Sequence, residues 1–174
     1  MIEIDAGLCV LRAWRDEDAA RIPELANDPE VARYMHEHFP HPYTLGDARA
    51  WIARVATFDP GLQFAIVVDG RPAGGIGFQR REGWARRSLQ IGYWLGRAYW
   101  GRGIATAATR AICAYGFDRF GEVVRIDTQV FAPNVASARV LEKAGFVREG
   151  HLRRAVAKDD RDYDTYLYAQ VRAS

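Results

Sequence analysis

The chain of 174 residues has no apolar run approaching ~18 residues, so nothing in it reads as a membrane-spanning helix. The opening MIEIDAG lacks the basic and apolar segments of a signal peptide. Cysteine is scarce. Cys9 and Cys113 stand alone without CxxC spacing, which fits reduced, buried thiols of a cytoplasmic protein. Basic residues exceed acidic ones by two, too few to indicate a nucleic-acid partner. The Walker pattern GxxxxGK[ST] is missing. His36, His38 and His41 form HxHxxH, but no HExxH or carboxylate partner accompanies them and Pro40 and Pro42 share the loop, so no metal is expected. No repeat, linker or low-complexity segment interrupts residues 1–174, which read as one domain large enough for a real core.

Hydrophobic period places the elements. Leu8 to Ala13 reads as a strand, and Asp16 caps a helix running to about Ala26. Asn27-Asp28-Pro29 breaks it, and a short helical piece covers Glu30 to Tyr34. Thr44 and Asp47 open a further helix with Ala48, Trp51, Ile52, Val55 and Ala56 on its apolar face. Phe64 to Val68, Asp69-Gly70 and Pro72 to Gln79 predict a hairpin. Glu82-Gly83-Trp84 is a second turn, and Ser88 to Leu95 completes a three-strand meander. A helix from Ile104 to about Phe120 follows, buried along Ile104, Ala108, Ile112 and Tyr115. Val123 to Val130 returns as a strand, and a helix begins at Ala132-Pro133-Asn134. It stops at Gly145, with Phe146 folding back on Leu141. Phe146 to about Arg154 and Tyr163 to Val171 close the chain as a strand pair. The order predicts a mixed α/β sheet of about seven strands with helices on both faces.

The informative stretch is IGYWLGRAYWGRGIAT, residues 91–106. An apolar strand ends at Leu95, and Gly101-Arg102-Gly103 opens a helix of small residues. The first N–H groups of a helix have no internal partner, and glycine lets a phosphate approach the backbone. By itself the pattern also fits a tight turn without a ligand. A Rossmann reading needs a glycine where Thr106 stands, and Asp127 falls within the next strand rather than after it.

A second motif lies thirty residues on. Trp100-Gly101-Arg102-Gly103-Ile104-Ala105, with Asn134-x-x-Ser137 and Glu142-Lys143-x-Gly145-Phe146, resembles the GNAT acyltransferase family. The IGYWL strand, LRAWRDEDA and FPHPYT resemble its ribosomal-protein N-terminal acetyltransferase-like subgroup. The likeness covers about residues 8–171 and implies a mostly antiparallel sheet splayed into a V between its fourth and fifth strands. It further implies acetyl-CoA as co-substrate, its pantetheine arm paired with the backbone of Tyr93, Trp94 and Leu95. Trp100, Gly101, Arg102, Gly103, Ile104 and Ala105 would wrap the pyrophosphate, and Asn134 would fix the arm. Trp100 departs from the Gln or Arg that often opens the motif.

Acyl transfer from a thioester to an amine needs a neutral amine, a donor to the oxyanion and a proton for the thiolate. The resemblance makes the Leu95 N–H the oxyanion donor and Ser137 the acid, because the tyrosine used by many members is replaced by Leu141. The second reading of Ser137 is an N-terminal helix residue. No base is evident: Val156 and Gln90 stand where relatives carry carboxylates, and Asp164 reads as a turn or strand-end residue. The missing base favours a low-pKa amine, a peptide N-terminus or a small metabolite. In the resembled family the histidine loop walls the acceptor groove. Trp84 reads as an acceptor cover or a homodimer contact. The alternatives are a non-catalytic CoA sensor, and an enzyme using succinyl-CoA whose spare positive charge comes from Arg97 or the 80–87 turn.

Overall fold

The structure, a computed structural model, describes residues 2–37 and 39–173. Its strands are β1 Glu3–Asp5, β2 Val10–Arg12, β3 Gln63–Val68, β4 Arg71–Arg80, β5 Ser88–Leu95, β6 Arg125–Phe131, β7 Val147–Lys158 and β8 Arg161–Val171. The helices are α1 Ile22–Ala26, α2 Pro29–Ala32, α3 Leu45–Val55, α4 Ile104–Arg119 and α5 Val135–Lys143. The strands hydrogen-bond in the order β1-β2-β3-β4-β5-β6-β8-β7. The paired registers are antiparallel except for β5 against β6. Two compact units divide the chain, Met1–Gly77 with Tyr93–Ile112, and Phe78–Gly92 with Cys113–Ser174.

In the first unit the expected opening strand becomes a hairpin. The Asp5 carboxylate accepts the Gly7 N–H at 2.8 Å and Gly7 takes φ 75°, so Leu8 lies in the turn and β2 begins at Val10. The three residues of β1 are too few for a period to show, which accounts for the eighth strand. The helix expected from Asp16 to Ala26 is instead a 3₁₀ turn, Asp16–Ala20, followed by α1. Pro23 has no N–H to continue a ladder through that point. The working carboxylate there is Asp18: it accepts the Arg15 N–H at 2.9 Å and grips Arg12 at 2.7 and 2.9 Å, both side chains buried. Thr44 and Asp47 form the capping box of α3. Asp69 and Gly70 both take positive φ in the β3–β4 turn, the conformation that a two-residue hairpin demands. The core packs Ala19, Ile22, Ala26, Tyr43, Ala48 and Ile52 with Trp14, Phe39, Trp51 and Trp94.

In the second unit β5 pairs β6 in parallel from Ser88↔Arg125 to Gln90↔Asp127. Among the described residues that ladder goes no further, although β5 continues to Leu95 and β6 to Phe131. The edge of β6 from Thr128 to Phe131 that faces away from β8 therefore carries main-chain groups outside the ladder. α5 ends as expected: Phe146 N–H donates to Leu141 C=O at 3.0 Å and Gly145 N–H to Glu142 C=O at 3.1 Å, with Gly145 at φ 96°. β7 and β8 run past the expected ends, because Asp159 and Asp160 adopt positive φ and make the tight turn without glycine.

Candidate active site

The glycine turn stands at the end of β5. Gly96 N–H donates to Ala73 C=O at 2.8 Å, and a 3₁₀ turn, Arg97–Tyr99, carries the chain to Trp100. The Trp100 indole N–H donates to Leu95 C=O at 2.7 Å, closing the loop on its own strand. The tryptophan that departs from the usual motif thus braces the turn. Gly101 and Gly103 lie at φ 72° and 77°, where an L side chain is strained. The first main-chain bond of α4 joins Ala107 N–H to Gly103 C=O at 3.0 Å, so the amides of Ile104, Ala105 and Thr106 have no intrahelical partner. Buried Ile104, Ala108 and Ile112 fix the helix, and its dipole sets partial positive charge on those amides. Arg102 reaches back over the Tyr99 ring, 5.7 Å from its centroid.

The strand before the turn is held closely. A Cβ on Gly74 would lie 2.2 Å from the Trp94 carbonyl oxygen and 2.8 Å from Leu95 Cα. One on Gly75 would meet the Trp94 indole nitrogen at 2.8 Å and Trp14 at 3.0 Å. The absence of a side chain at Gly74 lets β4 approach the Trp94–Leu95 peptide, and Gly75 leaves room for the two indole rings. The partly buried Trp94 ring packs edge-on against Phe39 at 5.9 Å between centroids. Leu95 is buried.

The second motif sits in the other unit. Asn134 Oδ1 accepts the Ser137 N–H at 3.1 Å, the N-cap of α5, while the Asn134 N–H donates to Phe131 C=O at 2.8 Å. Ser137 is half-buried on the first turn, and Leu141 is wholly in the core.

Near the final hairpin, the carboxylates of Glu149, Asp162 and Asp164 are engaged. Glu149 meets Arg125 at 3.1 and 2.5 Å, which lowers its pKa. Asp162 binds Arg154, Asp159 and Asp160 form the hairpin turn, and Asp164 binds His151 and the Arg154 N–H. Those two bonds, the main-chain one first, hold Asp164 below the usual carboxylate range. Asp127 is buried between Arg81 at 2.5 Å and Arg125 at 2.8 Å, an ionic role unrelated to a ribose. The arginines named for a succinyl group are committed too. Arg97 faces Asp28 at 3.6 Å, Arg80 pairs with Glu122 at 3.1 Å, and Arg87 donates to Glu122 C=O at 3.0 Å. His38 lies outside the described residues, and His36 edges the Phe39 ring at 6.5 Å. No group of three His, Cys, Asp or Glu that could hold a metal occurs among the described residues.

A strand that runs through a glycine turn into a helix N-terminus makes a site for a phosphate-bearing ligand. The model for the acetyltransferase (GNAT) domain matches residues 9–147, and the chain belongs to that family. It is 30% identical over 168 residues to the uncharacterized N-acetyltransferase p20 of Bacillus licheniformis, covering 93% of this chain and 92% of that one. A GNAT-family acetyltransferase from Bacillus anthracis superposes with a TM-score of 0.84 at 26% identity, over 98% of both chains. RimL, a ribosomal L7/L12 alpha-N-protein acetyltransferase solved with coenzyme A, shares the fold with a TM-score of 0.86 at 20% identity over 98% of both chains. The protein is an N-acetyltransferase. No described helix is long and apolar enough to cross a membrane.

Proposed function

We propose that residues 1–174 form one acyl-CoA N-acyltransferase domain that acetylates the α-amino group of a protein N-terminus. The observation that carries the donor half is the pair of positive-φ glycines opening α4. In this reading the amides of Gly101 to Ala105 hold the pyrophosphate, with Trp100 and Arg102 flanking it, and the main chain of Tyr93, Trp94 and Leu95 pairs with the pantetheine arm. Asn134 fixes the arm, the Leu95 N–H stabilises the oxyanion and Ser137 protonates the thiolate. Placing the thioester and the amine together supplies most of the rate enhancement, since the thioester is already activated. The protein acceptor is supported by the activity named for RimL, and by the pairing of the Glu149, Asp162 and Asp164 carboxylates, which suits an amine of pKa ~7.7–8.0 better than a lysine at ~10.4.

The test is thiol release from acetyl-CoA with a panel of peptides bearing free N-termini, N-terminally blocked lysine peptides and small amines. Release dependent on the free N-terminus supports the proposal. Release only with small amines selects a metabolite acceptor, and cofactor binding without release selects a sensor.

A further inference from the structure

His151 and Asp164 form a dyad at the end of the second unit where α5 begins. His151 Nε2 lies 2.7 Å from Asp164 Oδ2, and Asp164 Oδ1 accepts the Arg154 N–H at 2.8 Å. The Asp164 carbonyl accepts the Ala132 N–H at 2.9 Å, two residues before the helix cap at Asn134. The face is fixed independently. The Tyr168 hydroxyl donates to Glu142 at 2.8 Å, so α5 covers the sheet face that carries Tyr168. Alternation along β8 puts Tyr166 and Asp164 on that face, and His151, directly opposite Tyr166, shares it. His151 and Asp164 thus stand on the face and at the end that present Asn134 and Ser137, outside the carboxyl end of β6.

The local backbone is built for this. β7 bulges between Leu152 and Val156, and Arg154 is held at φ 50°, an unfavourable conformation for arginine. Its N–H thereby reaches Asp164, and its guanidinium turns to Asp162. The bulge lines an open depression of about 710 Å³ with His151, Leu152, Arg153, Arg154, Ala155 and Asp164. The imidazole is half exposed into it, with the Tyr166 ring edge-on at 5.1 Å.

We infer that His151 is the general base of acetyl transfer, receiving the acceptor's proton on Nδ1, and that Asp164 is the positioning residue fixing its ring and tautomer. The inference rests on the amine-acetylating role proposed above. An ionised carboxylate only accepts hydrogen bonds, so Nε2 must donate and the lone pair resides on Nδ1. The amine nitrogen bonds to the thioester carbon, the carbon–sulfur bond breaks with its electron pair on sulfur, and the proton lost by nitrogen goes to Nδ1. The thiolate then takes a proton from Ser137 or water. Sequence reading missed the histidine because its partner is thirteen residues away across a bulged hairpin.

The charged groups facing His151 are Asp164 and Asp162 from β8, Arg153 and Arg154 from β7, and Arg148 across the Tyr166 ring. The test compares pH profiles of kcat/KM for wild type, His151→Gln and Asp164→Asn, with acetyl-CoA and whichever peptide of the panel releases thiol with the wild type. The wild type is expected to lose activity on the acid side along a single limb. His151→Gln should drop kcat by about 100-fold at neutral pH, lose that limb and bind acetyl-CoA as before. Asp164→Asn should shift the limb while lowering kcat less. Imidazole added to His151→Ala should restore part of the rate, which a merely structural histidine would not allow. Wild-type kcat and profile in His151→Gln would overturn the inference, as would a wild-type profile without an acid limb if the variants fail to fold. Failure of every amine to release thiol strikes instead at the acceptor reading.

Discussion

At the scale of single residues, the site depends on glycines held at positive φ or at a close approach of strands. Gly103→Val would put a branched Cβ at φ +77°, with Leu8 Cδ1 already 3.4 Å from the first added carbon. Its methyl groups would stand before the open amides of α4. Isothermal titration with acetyl-CoA should show affinity lost by about 100-fold or more, equivalent to about 2.7 kcal/mol. Ser137→Ala tests the acid role: with a leaving thiol near pKa ~8.5, kcat should fall only about tenfold and the KM for acetyl-CoA should hold. Arg12 and Asp18 show a structural extreme, since both are buried and each neutralises the other. Asp18→Ala strands a guanidinium and should cost about 3–5 kcal/mol in urea unfolding, whereas Arg12→Met with Asp18→Leu should recover most of it. The motif glycines were legible because their spacing is local. Gly74 and Gly75 were not, because the need for them arises from Trp94 on another strand.

At the scale of elements, caps and turns explain which boundaries the sequence gets right. Thr44-Asp47 and Gly145-Phe146 each satisfy orphan groups of their own helix, so four or five residues contain the whole signal. The segment 16–26 defeats the same reasoning. Asp16 looks like the cap, yet Asp18 is drawn to Arg12 six residues back and Pro23 splits the run. Asn134 is both a cap and a cofactor candidate, and the two roles separate by measurement. Asn134→Ala should lower unfolding stability by about 1 kcal/mol, while Asn134→Asp should keep the cap. A loss of acetyl-CoA affinity in Asn134→Asp at unchanged stability would mark the amide's own contribution. At the other end of the second unit, Arg172 donates to the carbonyls of Phe117, Phe120 and Val123, closing the C-terminus of α4. Nothing in the local sequence announces that contact.

At the scale of the whole molecule, burial of Cys9 and Cys113 links stability to alkaline pH. Burial, first among the causes, pushes these thiols up to about 11 and about 12. A thiol kept protonated in the folded chain contributes fully below its unfolded value of 9.0, and the contribution is lost as pH rises above that value. The urea midpoint should therefore decline between about pH 9 and 11, and neither thiol should react with a disulfide reagent until the chain unfolds. The amino-acid order by itself determined the Asp69-Gly70 hairpin, the caps of α3 and α5 and the glycine-opened helix, because each rests on contacts within a few residues. It also limited the chemistry by leaving Val156 and Gln90 where a base would be sought. Only the tertiary structure decided which charges are already spent, as with Arg97 on Asp28 and Asp127 between two arginines. It alone paired His151 with Asp164. Strand register and a bulge bring distant side chains within hydrogen-bonding reach, and neither leaves a period in the sequence.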